Sequence, residues 1–422
     1  MLEPEEAVSR ILDALADIAP LPPERVPLRD ALGRALAEDV TAERALPPFD
    51  NSQMDGYALR ASDAPRAGAR LKVAYEVFAG SAIPPPLPAG ACCRVYTGAP
   101  LPAGVDCVEM QEEVSRQGAL ARFHRPAEAG RFVRPAGADV ALGAVALPRG
   151  TEVDPGAIGL CAALGRTEVA VHRRPRVGLL TTGDEIVPVD RTPAPGQIVD
   201  SNSHALAAAC IDVGAAPTVL PVARDARASL AAALRAAEGL DALVSTGGVS
   251  VGQKDLVKAA LAAVGTRLDF WRVAMRPGKP IAFGRRGRMA VFGLPGNPAS
   301  ALVTFELFVR PALRSLAGLR GCGRPVLPAR LATRFEKPAG LTHYLRARAH
   351  VRDGELVLEP LRTQVSGHLS SVTGFEALAV VPKAAVRVPS GGRVQAILLA
   401  PPRDGTPGST REGAPPAKRR SG

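Results

Sequence analysis

Between residues 176 and 318, the sequence alternates short apolar segments that end in small residues with segments of helical periodicity. Strands without a polar face are buried on both sides, and strands that alternate with helices form mostly parallel sheets. This alternation predicts a central α/β domain. We predict strands over residues 176–183, 218–222, 241–248, 270–274, 281–283 and 290–294, and helices over 204–213, 228–237, 256–264 and 300–317.

The regions on either side of this α/β domain have different sequence patterns. Apolar residues at helical spacing predict an amphipathic helix over residues 5–19 and a second helix over 28–37. From about residue 46 to 135, and again after 325, short β-prone runs separated by Gly and Pro predict β-rich modules. From residue 400 onward the sequence is rich in Pro, Gly, Ser and Arg, which is typical of disorder.

Composition excludes several classes of protein. The longest uncharged run, residues 77–93, is broken by four prolines, so we expect no membrane-spanning helix. The net charge of +11 includes +3 from the last twenty residues, and the chain has only 16 aromatic residues. We therefore expect no nucleic-acid partner. The acidic, amphipathic N-terminus and six cysteines without a CxxC pair predict a cytoplasmic protein with reduced thiols.

Four glycine-containing loops follow the predicted strands of the α/β domain. They are Thr-Thr-Gly-Asp-Glu at 181–185, Ser-Thr-Gly-Gly-Val-Ser-Val-Gly at 245–252, Arg-Pro-Gly-Lys-Pro at 276–280 and Leu-Pro-Gly-Asn-Pro at 294–298. Ligands of such sheets bind beyond the carboxyl ends of the strands, and glycine lets backbone N–H groups approach an anion closely. Each loop alone could be a tight turn. Four on one edge predict an anion pocket, although none matches a common nucleotide motif.

Two stretches of the first β-rich module are also rich in proline, glycine and small polar residues. Pro-Pro-Phe-Asp-Asn-Ser-Gln-Met-Asp-Gly-Tyr-Ala spans residues 47–58, and Thr-Gly-Ala-Pro-Leu-Pro spans 97–102. Asx turns explain part of the polar content of the first stretch. They do not explain all of it, so we expect functional side chains there.

The motifs FDNSQMDGYA, TGAPLPAG, TTGDEIV, GQIVDSN, STGGVSVGQKD, RPGKPIAFG and LPGNPASALVTFELFVRP occur in this order. Together they resemble the MoeA family of molybdopterin molybdenumtransferases, to which the gephyrin E-domain is similar. The resemblance covers about residues 4–400. It implies insertion of molybdenum from molybdate into adenylylated molybdopterin, with Mg²⁺ and release of AMP. It also implies a homodimer that contacts other proteins of the molybdenum cofactor pathway.

The resemblance implies an α/β and β multidomain fold with four domains. Domain I would be a discontinuous helical and mixed domain of residues 1–45 and 138–174, and domain II a β-rich insertion at 46–137. Domain III would be a MogA-like, molybdopterin-binding α/β domain at 175–320, and domain IV a β-barrel at 325–400. The remaining residues, 401–422, are predicted to be a disordered tail.

The resemblance also assigns site residues. The predicted catalytic residues are Asp55, Thr97, Asp139, Glu185 and Asp225, of which Asp55 and Glu185 are predicted Mg²⁺ ligands. Asp139 and Asp225 could instead be turn residues, and Thr97 could be a turn cap. The predicted cofactor-binding residues are Ser245, Gly247, Gly248, Ser250, Asp255, Arg276, Lys279, Pro295, Pro298, Arg346 and Ser366.

Two other functions remain as alternatives. One is a catalytically inactive scaffold that binds molybdopterin for other proteins of the pathway. The intact acidic residues count against it, because a scaffold need not keep carboxylates beside an anion pocket. The other is the related adenylyltransferase, which shares only the α/β domain. The long β-rich regions on both sides of that domain disfavour it.

Overall fold

The structure is a computed structural model that describes residues 1–224, 226–247 and 265–404. It divides into two compact units. One unit consists of residues 24–171. The other combines residues 1–23 with the described residues from 172 onward.

The N-terminal helix α1 (Pro4–Leu15) has the features that its sequence predicts. Proline occupies its first turn, where no backbone N–H is needed, and Glu5 and Glu6 lie near its positive end. Ala7, Ile11 and Leu15 are completely buried in the core of the α/β region, near Phe283 and Leu316. Residues 1–23 therefore group with the α/β region, whereas the resemblance placed residues 1–45 together in domain I.

The unit of residues 24–171 is mostly β-structure. Strands β4, β5, β6, β7, β8 and β9 form a six-stranded sheet in the order β7-β4-β6-β5-β9-β8, and a helix, α2 (Pro155–Ala163), is capped by Asp154. The strands of this unit are β1 (Pro23–Pro27), β2 (Val40–Thr41), β3 (Asn51–Ser52), β4 (Gly56–Leu59), β5 (Arg70–Val77), β6 (Ala91–Val95), β7 (Cys107–Met110), β8 (Val114–Gln117), β9 (Leu120–Phe123), β10 (Val133–Arg134), β11 (Val145–Leu147) and β12 (Glu168–His172).

The predicted helix over residues 28–37 is wrong. Only a single 3₁₀ turn, Leu28–Asp30, forms there. Gly33 has a φ of +71°, which is incompatible with a continuing right-handed helix. The backbone of Ala35 and Leu36 then forms β-bridges to Glu152 and Val171, so its hydrogen-bonding groups are committed to partners far away in the sequence.

The α/β region contains a six-stranded sheet in the order β16-β13-β17-β21-β20-β18. The first four strands pair in parallel, whereas β20 is antiparallel to both of its neighbours, β21 and β18, so the mostly parallel sheet is confirmed. The elements of this region are β13 (Arg176–Thr181), β14 (Ile186–Val187), β15 (Ile198–Val199), α3 (Asn202–Asp212), β16 (Ala216–Val219), α4 (Arg227–Ala236), β17 (Ala242–Thr246), β18 (Arg267–Phe270), β19 (Met275–Arg276), β20 (Ala282–Arg286), β21 (Met289–Leu294), α5 (Pro298–Thr304) and α6 (Arg310–Leu316).

Two predicted elements of this region differ from the structure. The predicted strand at 270–274 is wrong beyond its first residue, because β18 ends at Phe270 and β19 begins only at Met275. The predicted helix at 300–317 is divided by a π-helical turn, Phe305–Val309, between α5 and α6. Pro311 has no N–H to donate to the carbonyl of Leu307, which explains the wider turn. The predicted helix at 256–264 lies outside the described residues.

The C-terminal region is a closed five-stranded barrel in which β24 pairs with β25, β25 with β22, β22 with β28, β28 with β26, and β26 again with β24. Strand β19 of the α/β region pairs in parallel with the start of β24, with Arg276 opposite His343. The strands are β22 (Val326–Leu331), β23 (Phe335–Glu336), β24 (Thr342–Arg352), β25 (Glu355–Pro360), β26 (Ala377–Val381), β27 (Arg387–Val388), β28 (Arg393–Leu398) and β29 (Arg403–Asp404).

Strand β29 corrects the predicted start of the disordered tail. Arg403 pairs with His350 of β24, and the Arg403 side chain donates to a carboxylate oxygen of Glu376 at 2.8 Å. The prediction of disorder from residue 401 is therefore wrong for residues 403–404, and residues 405–422 lie outside the described part of the chain. Within the described residues, no helix is long and apolar enough to cross a membrane.

Candidate active site

A cavity of about 320 Å³ opens at the carboxyl ends of β13, β17 and β21. The three strands are in register there, with Thr181 opposite Thr246 and Thr246 opposite Leu294. Loops that leave neighbouring parallel strands therefore meet at one place. The cavity is lined by Thr181, Thr182, Gly183, Glu185, Ile186, Ile198, Asn202, Thr246, Gly247, Pro280, Pro295, Gly296 and Asn297.

Gly247 makes this close approach of loops possible. Its φ is +86°, and a Cβ atom at this position would lie 2.4 Å from the carbonyl oxygen of Thr182. Gly296 lies on its other side, where an added Cβ would be 3.5 Å from the Gly247 Cα. No other residue type fits at position 247, and the glycine leaves the backbone of two loops open toward the cavity.

Hydroxyl and amide groups fix the positions of these loops. The Thr246 hydroxyl lies 3.3 Å from that of Thr181, and the Asn202 side-chain amide donates to the Gly296 carbonyl at 2.7 Å. Asn202 is the first residue of α3, and Asp200 accepts from the Ser203 N–H at 3.1 Å. The N-terminal end of α3 therefore lies at the cavity wall, and the Asp200 carboxylate caps one of its N–H groups.

The structure brings together three of the predicted residues of the α/β region: Glu185, Gly247 and Pro295 all line the cavity. Ser245 does not line it, because its buried hydroxyl donates to the Phe292 carbonyl at 3.1 Å within the sheet. Pro298 starts α5 beside the lining residue Asn297. Four predicted residues lie outside the described part of the chain, namely Asp225, Gly248, Ser250 and Asp255.

The two predicted cations of the 276–280 loop have different surroundings. Lys279 is exposed and directly precedes Pro280, which lines the cavity. Arg276 lines a second cavity of about 320 Å³, together with the barrel residues Lys337 and His343. Burial, followed by the charges of Lys337 and Arg276, lowers the pKa of His343 to about 4. His343 is therefore neutral at neutral pH.

In the barrel, Arg346 and Ser366 have distinct roles. Arg346 is completely buried; its Nε donates to the Ser371 carbonyl at 3.1 Å and its Nη2 to the carbonyls of Thr363 and Val365 at 3.3 Å. Burial lowers the pKa of this guanidinium. The Ser366 hydroxyl accepts from the Asn297 amide at 3.1 Å. Arg346 thus fixes the segment whose Ser366 contacts the cavity wall.

The unit of residues 24–171 contains a second group of predicted residues. Asp55 lies on the surface between β3 and β4, and one of its carboxylate oxygens accepts from both the N–H and the hydroxyl of Thr97, each at 2.8 Å. These two hydrogen bonds, assisted by the charge of Arg94, lower the pKa of Asp55. Both bonds use Oδ1, and no described residue donates a hydrogen bond to Oδ2.

Thr97 also lines a cavity of about 350 Å³ with Asn51, Ser52, Gln53, Gly98 and Arg134. The Gly98 N–H donates to the Ser52 carbonyl at 2.8 Å, which fixes the two motif stretches against each other. Asp139 is not part of this group. It is exposed, and its backbone N–H donates to the Leu46 carbonyl at 2.9 Å.

The predicted Mg²⁺ ligands Asp55 and Glu185 lie in different compact units. In the described ranges, no group of three or more His, Cys, Asp or Glu residues could bind a metal ion. Mg²⁺ commonly takes only one or two carboxylates and completes its coordination with water and substrate phosphates. Single carboxylates such as Asp55 and Glu185 fit that pattern.

Several cavity residues, above all Asn202 and Asn297, are not among the residues predicted from the sequence. Both have a signal in the sequence. Asn202 ends the GQIVDSN motif and begins a helix, and Asn297 lies between a glycine and a proline at the start of α5. An amide at a helix start, directly after a strand-following loop, is suited to both loop fixation and ligand contact.

The fold and these two sites define a multidomain α/β protein with a polar, glycine-walled cavity at a parallel-sheet edge. The sequence of the whole chain gives a more specific result. A MoeA N-terminal region (domain I and II) matches residues 2–165, a probable molybdopterin binding domain matches 178–315, and a MoeA C-terminal region (domain IV) matches 328–399.

Full-length relatives agree with these matches. Molybdopterin molybdenumtransferase 2 of Mycobacterium tuberculosis is 37% identical over 383 residues, which cover 88% of this chain and 94% of that protein. The molybdopterin molybdenumtransferase of Bacillus subtilis is 34% identical over 385 residues, which cover 89% of this chain and 90% of that protein. This chain belongs to the MoeA family of molybdopterin molybdenumtransferases, and the predicted resemblance is confirmed.

A solved structure supports the fold. The molybdopterin biosynthesis MoeA protein from Pyrococcus horikosii has a TM-score of 0.80 and 30% identity, covering 95% of this chain and 100% of that chain. The predicted fold class, with a central α/β domain, a β-rich domain and a C-terminal barrel, is confirmed. Membership of this family also confirms the prediction of a transferase of molybdenum cofactor biosynthesis.

Proposed function

We propose that this protein inserts molybdenum from molybdate into adenylylated molybdopterin, with Mg²⁺-dependent release of AMP. The observation that carries the proposal is the cavity at the ends of β13, β17 and β21, whose glycine Gly247 admits no side chain. A pterin phosphate is bound well by backbone N–H groups that it can approach closely. The cavity allows that approach, because Gly247 carries no side chain where it meets the Thr182 backbone.

The polar groups of the cavity suit a pterin with its phosphate. Thr182 and Asn297 present hydroxyl and amide groups, and Ile186 and Ile198 present apolar surface. Ligand pockets of this kind combine apolar walls with a few oriented polar groups. The exposed Lys279, next to the lining residue Pro280, adds positive charge for molybdate or phosphate.

Asp55 supplies the reactive carboxylate in this proposal. Its lowered pKa keeps it ionised, and Thr97 holds it through one oxygen only. An ionised carboxylate with a free oxygen can orient a water molecule or bind a cation. When bound, Mg²⁺ supplies positive charge that offsets the charge of the phosphates. Glu185, on the cavity wall, is the second carboxylate that we assign to Mg²⁺.

Four features remain part of the proposal. They are the four-domain division of the sequence analysis, the homodimer, the cytoplasmic location and contact with other proteins of the pathway. The family descriptions that name domains I, II and IV support the domain division. Asp139 and Asp225 remain predicted catalytic residues.

The decisive experiment mixes the purified protein with adenylylated molybdopterin, molybdate and Mg²⁺. We expect AMP release, measured by chromatography, together with activation of an apo-molybdoenzyme. The matched control omits molybdate. Retained pterin binding without AMP release would instead support the scaffold, which nothing in the family membership favours, and adenylylation of molybdopterin from ATP would support the adenylyltransferase.

A further inference from the structure

The segment that leads into the cationic loop at 276–280 is held between two other parts of the chain. The Ala274 N–H donates to the Leu2 carbonyl at 2.8 Å, and the Ala274 carbonyl accepts from the Thr342 N–H at 3.0 Å. Leu2 also forms a parallel β-bridge with Val273, and its side chain packs on the buried core of the α/β region. Both main-chain polar groups of Ala274 are therefore used, one by residue 2 and one by the first residue of β24.

The same segment is bonded directly to the cationic loop. The Val273 N–H donates to the Lys279 carbonyl at 3.2 Å, which closes residues 273–279 on themselves. Gly278 packs against α5, because a Cβ atom at this glycine would lie 2.3 Å from the Thr304 methyl group. A displacement of the Val273 backbone is therefore transmitted to Lys279 through a single hydrogen bond.

A charged contact fixes the residue that follows Leu2. The Lys383 side chain donates from Nζ to Oε1 of Glu3 at 2.5 Å, and both side chains are about half exposed. Glu3 directly precedes α1, but its carboxylate makes no capping hydrogen bond to that helix. Ser, Thr, Asp and Asn are the side chains favoured at that position. The Glu3 carboxylate is thus bonded to the C-terminal region and not to its own helix.

Lys383 belongs to the part of the C-terminal region that borders the cationic loop. Its carbonyl accepts from Lys337 Nζ at 3.3 Å, and Lys337 lines the second cavity together with Arg276. The ion pair of Glu3 with Lys383 therefore connects the first residues of the chain to the barrel side of the loop. The backbone of Leu2 connects them to its α/β side.

We propose that Glu3 is a positioning residue for the loop at 276–280. By pairing with Lys383, Glu3 keeps the adjoining Leu2 in contact with the segment before the loop, and that segment holds the backbone of Lys279. This inference rests on the proposed function, in which the loop contacts a tetrahedral oxyanion. A loop that is held in place before binding loses little conformational entropy when the ligand arrives. Loss of the Glu3 contact should therefore weaken oxyanion binding, although Glu3 is not itself a binding residue.

The negative charge of Glu3 makes the direction of the effect diagnostic. If only electrostatic attraction mattered, removal of a negative charge would strengthen the binding of an anion. Positioning predicts the opposite, so Glu3→Gln should weaken molybdate binding about two- to fivefold, as expected for the loss of a partly exposed ion pair. Glu3→Lys places two like charges together and should weaken molybdate binding by about fivefold.

The test is titration calorimetry of the full-length protein with sodium molybdate. The double variant Glu3→Lys with Lys383→Glu restores an ion pair of reversed polarity, and its molybdate affinity should return to within about twofold of the wild-type value. Glu6→Gln is the matched control, because Glu6 pairs with Arg10 within α1 at 3.0 Å. This control removes the same charge from a neighbouring position and should not weaken molybdate binding.

Hydrogen exchange measures the order of the loop without any ligand. In Glu3→Lys, the N–H groups that donate to the Lys279 carbonyl should exchange faster than in the wild-type protein. These are the N–H groups of Val273 and Ile281, each at 3.2 Å. Trp271, the only tryptophan of the chain, adjoins this segment, so its fluorescence should shift to longer wavelength when the segment loosens. Thermal unfolding verifies that each variant is folded.

Three results would overturn the proposal: no measurable molybdate binding by the wild-type protein, unchanged or stronger binding in both Glu3 variants, or unchanged hydrogen exchange of the loop. An equal loss of affinity in Glu6→Gln would also overturn it, because the effect would then not depend on the contact with Lys383. Failure of the double variant to regain affinity would likewise contradict a role for the ion pair.

The same variants separate this inference from the proposed function. If wild-type protein releases AMP with molybdate while the Glu3 variants keep their molybdate affinity, the positioning proposal fails and the function stands. If molybdate affinity depends on Glu3 but no molybdenum is inserted, the positioning proposal stands and the function fails.

Discussion

The cavity of the α/β region and the Asp55 loop achieve specificity in opposite ways. The cavity is built from buried strand ends, and its shape depends on backbone contacts such as that between Gly247 and Thr182. Asp55 is exposed, and two hydrogen bonds from one residue, Thr97, hold its carboxylate and lower its pKa. We expect recognition of the ligand to depend on the fold, through the backbone contacts of the cavity, and reactivity to depend on a few side chains.

The sharpest test of this contrast is Asp55→Asn. The amide removes the negative charge while keeping the size of the side chain, so turnover should fall about 10²- to 10⁴-fold. Pterin affinity should remain within about twofold, because Asp55 is not a lining residue of the cavity. AMP release and equilibrium pterin binding measure the two quantities. Asp30→Asn, at an exposed acid in a surface turn, is the control, and wild-type turnover in Asp55→Asn would contradict the assignment.

Gly247→Ala tests whether the backbone contacts that shape the cavity determine ligand affinity. The added Cβ would lie 2.4 Å from a backbone oxygen, so the loops must separate, and pterin affinity should fall about 100-fold. Gly239→Ala is the matched control, since Gly239 also has a positive φ, of +79°, but has nothing within 4 Å of an added Cβ. That control should lose only about 1 kcal/mol of stability. Equal affinities in the two variants would show that Gly247 matters only for its backbone conformation.

The pH dependence of the rate tests whether ionised Asp55 is required for turnover. Because Thr97 lowers the pKa of this carboxyl, Asp55 stays ionised as the pH falls, and the stabilisation from these bonds is lost only when the pH drops through the lowered pKa. Thr97→Val removes the hydroxyl donor and should raise the pKa toward the ordinary value of 3.8. The acid limb of the rate profile should then move to higher pH. Thr97→Ser keeps a hydroxyl and should leave the limb near its original position.

The smallest expected effect concerns Ser366. Ser366→Ala removes one hydrogen bond, to Asn297, and should lower the free energy of unfolding by about 1 kcal/mol and pterin affinity only a few-fold. Ser390→Ala removes a comparable hydrogen bond, which the Ser390 hydroxyl donates to the Ala332 carbonyl in another part of the C-terminal region. This variant should lower the free energy of unfolding by a similar amount and leave pterin affinity unchanged. A loss of affinity in both variants would mean that barrel stability, and not the Asn297 contact, affects the cavity.

Local sequence patterns correctly predicted the elements whose structure depends mainly on neighbouring residues. Buried strands such as β13 and β17 are recognisable because they lack polar faces, and the loops that follow them form the cavity. Residues 28–37 were predicted wrongly because Leu36 pairs with Val171, a partner that no local pattern contains. The packing of α1 on the α/β core was missed for the same reason.

The candidate site shows the same limit. The carboxylate and glycine positions were identified from motifs, and Glu185 and Gly247 do line the cavity. Ser245 was assigned to the cofactor because it belongs to the same motif, yet its hydroxyl bonds to Phe292 inside the sheet. A motif gives residue order, but strand alternation decides which face each side chain takes. Asn202 was missed because its role depends on Gly296, which is distant in sequence.

The pairing of β19 with β24 has a consequence for ligand entry. Arg276 is bonded into the edge of the barrel, and the same loop continues through Pro280 directly into β20. Strands hold both ends of the loop, so the backbone positions of its cationic residues, Arg276 and Lys279, are fixed before an oxyanion binds. If this loop binds an oxyanion as proposed, little ordering of its backbone remains to oppose binding, and loss of the β19–β24 pairing should weaken that binding.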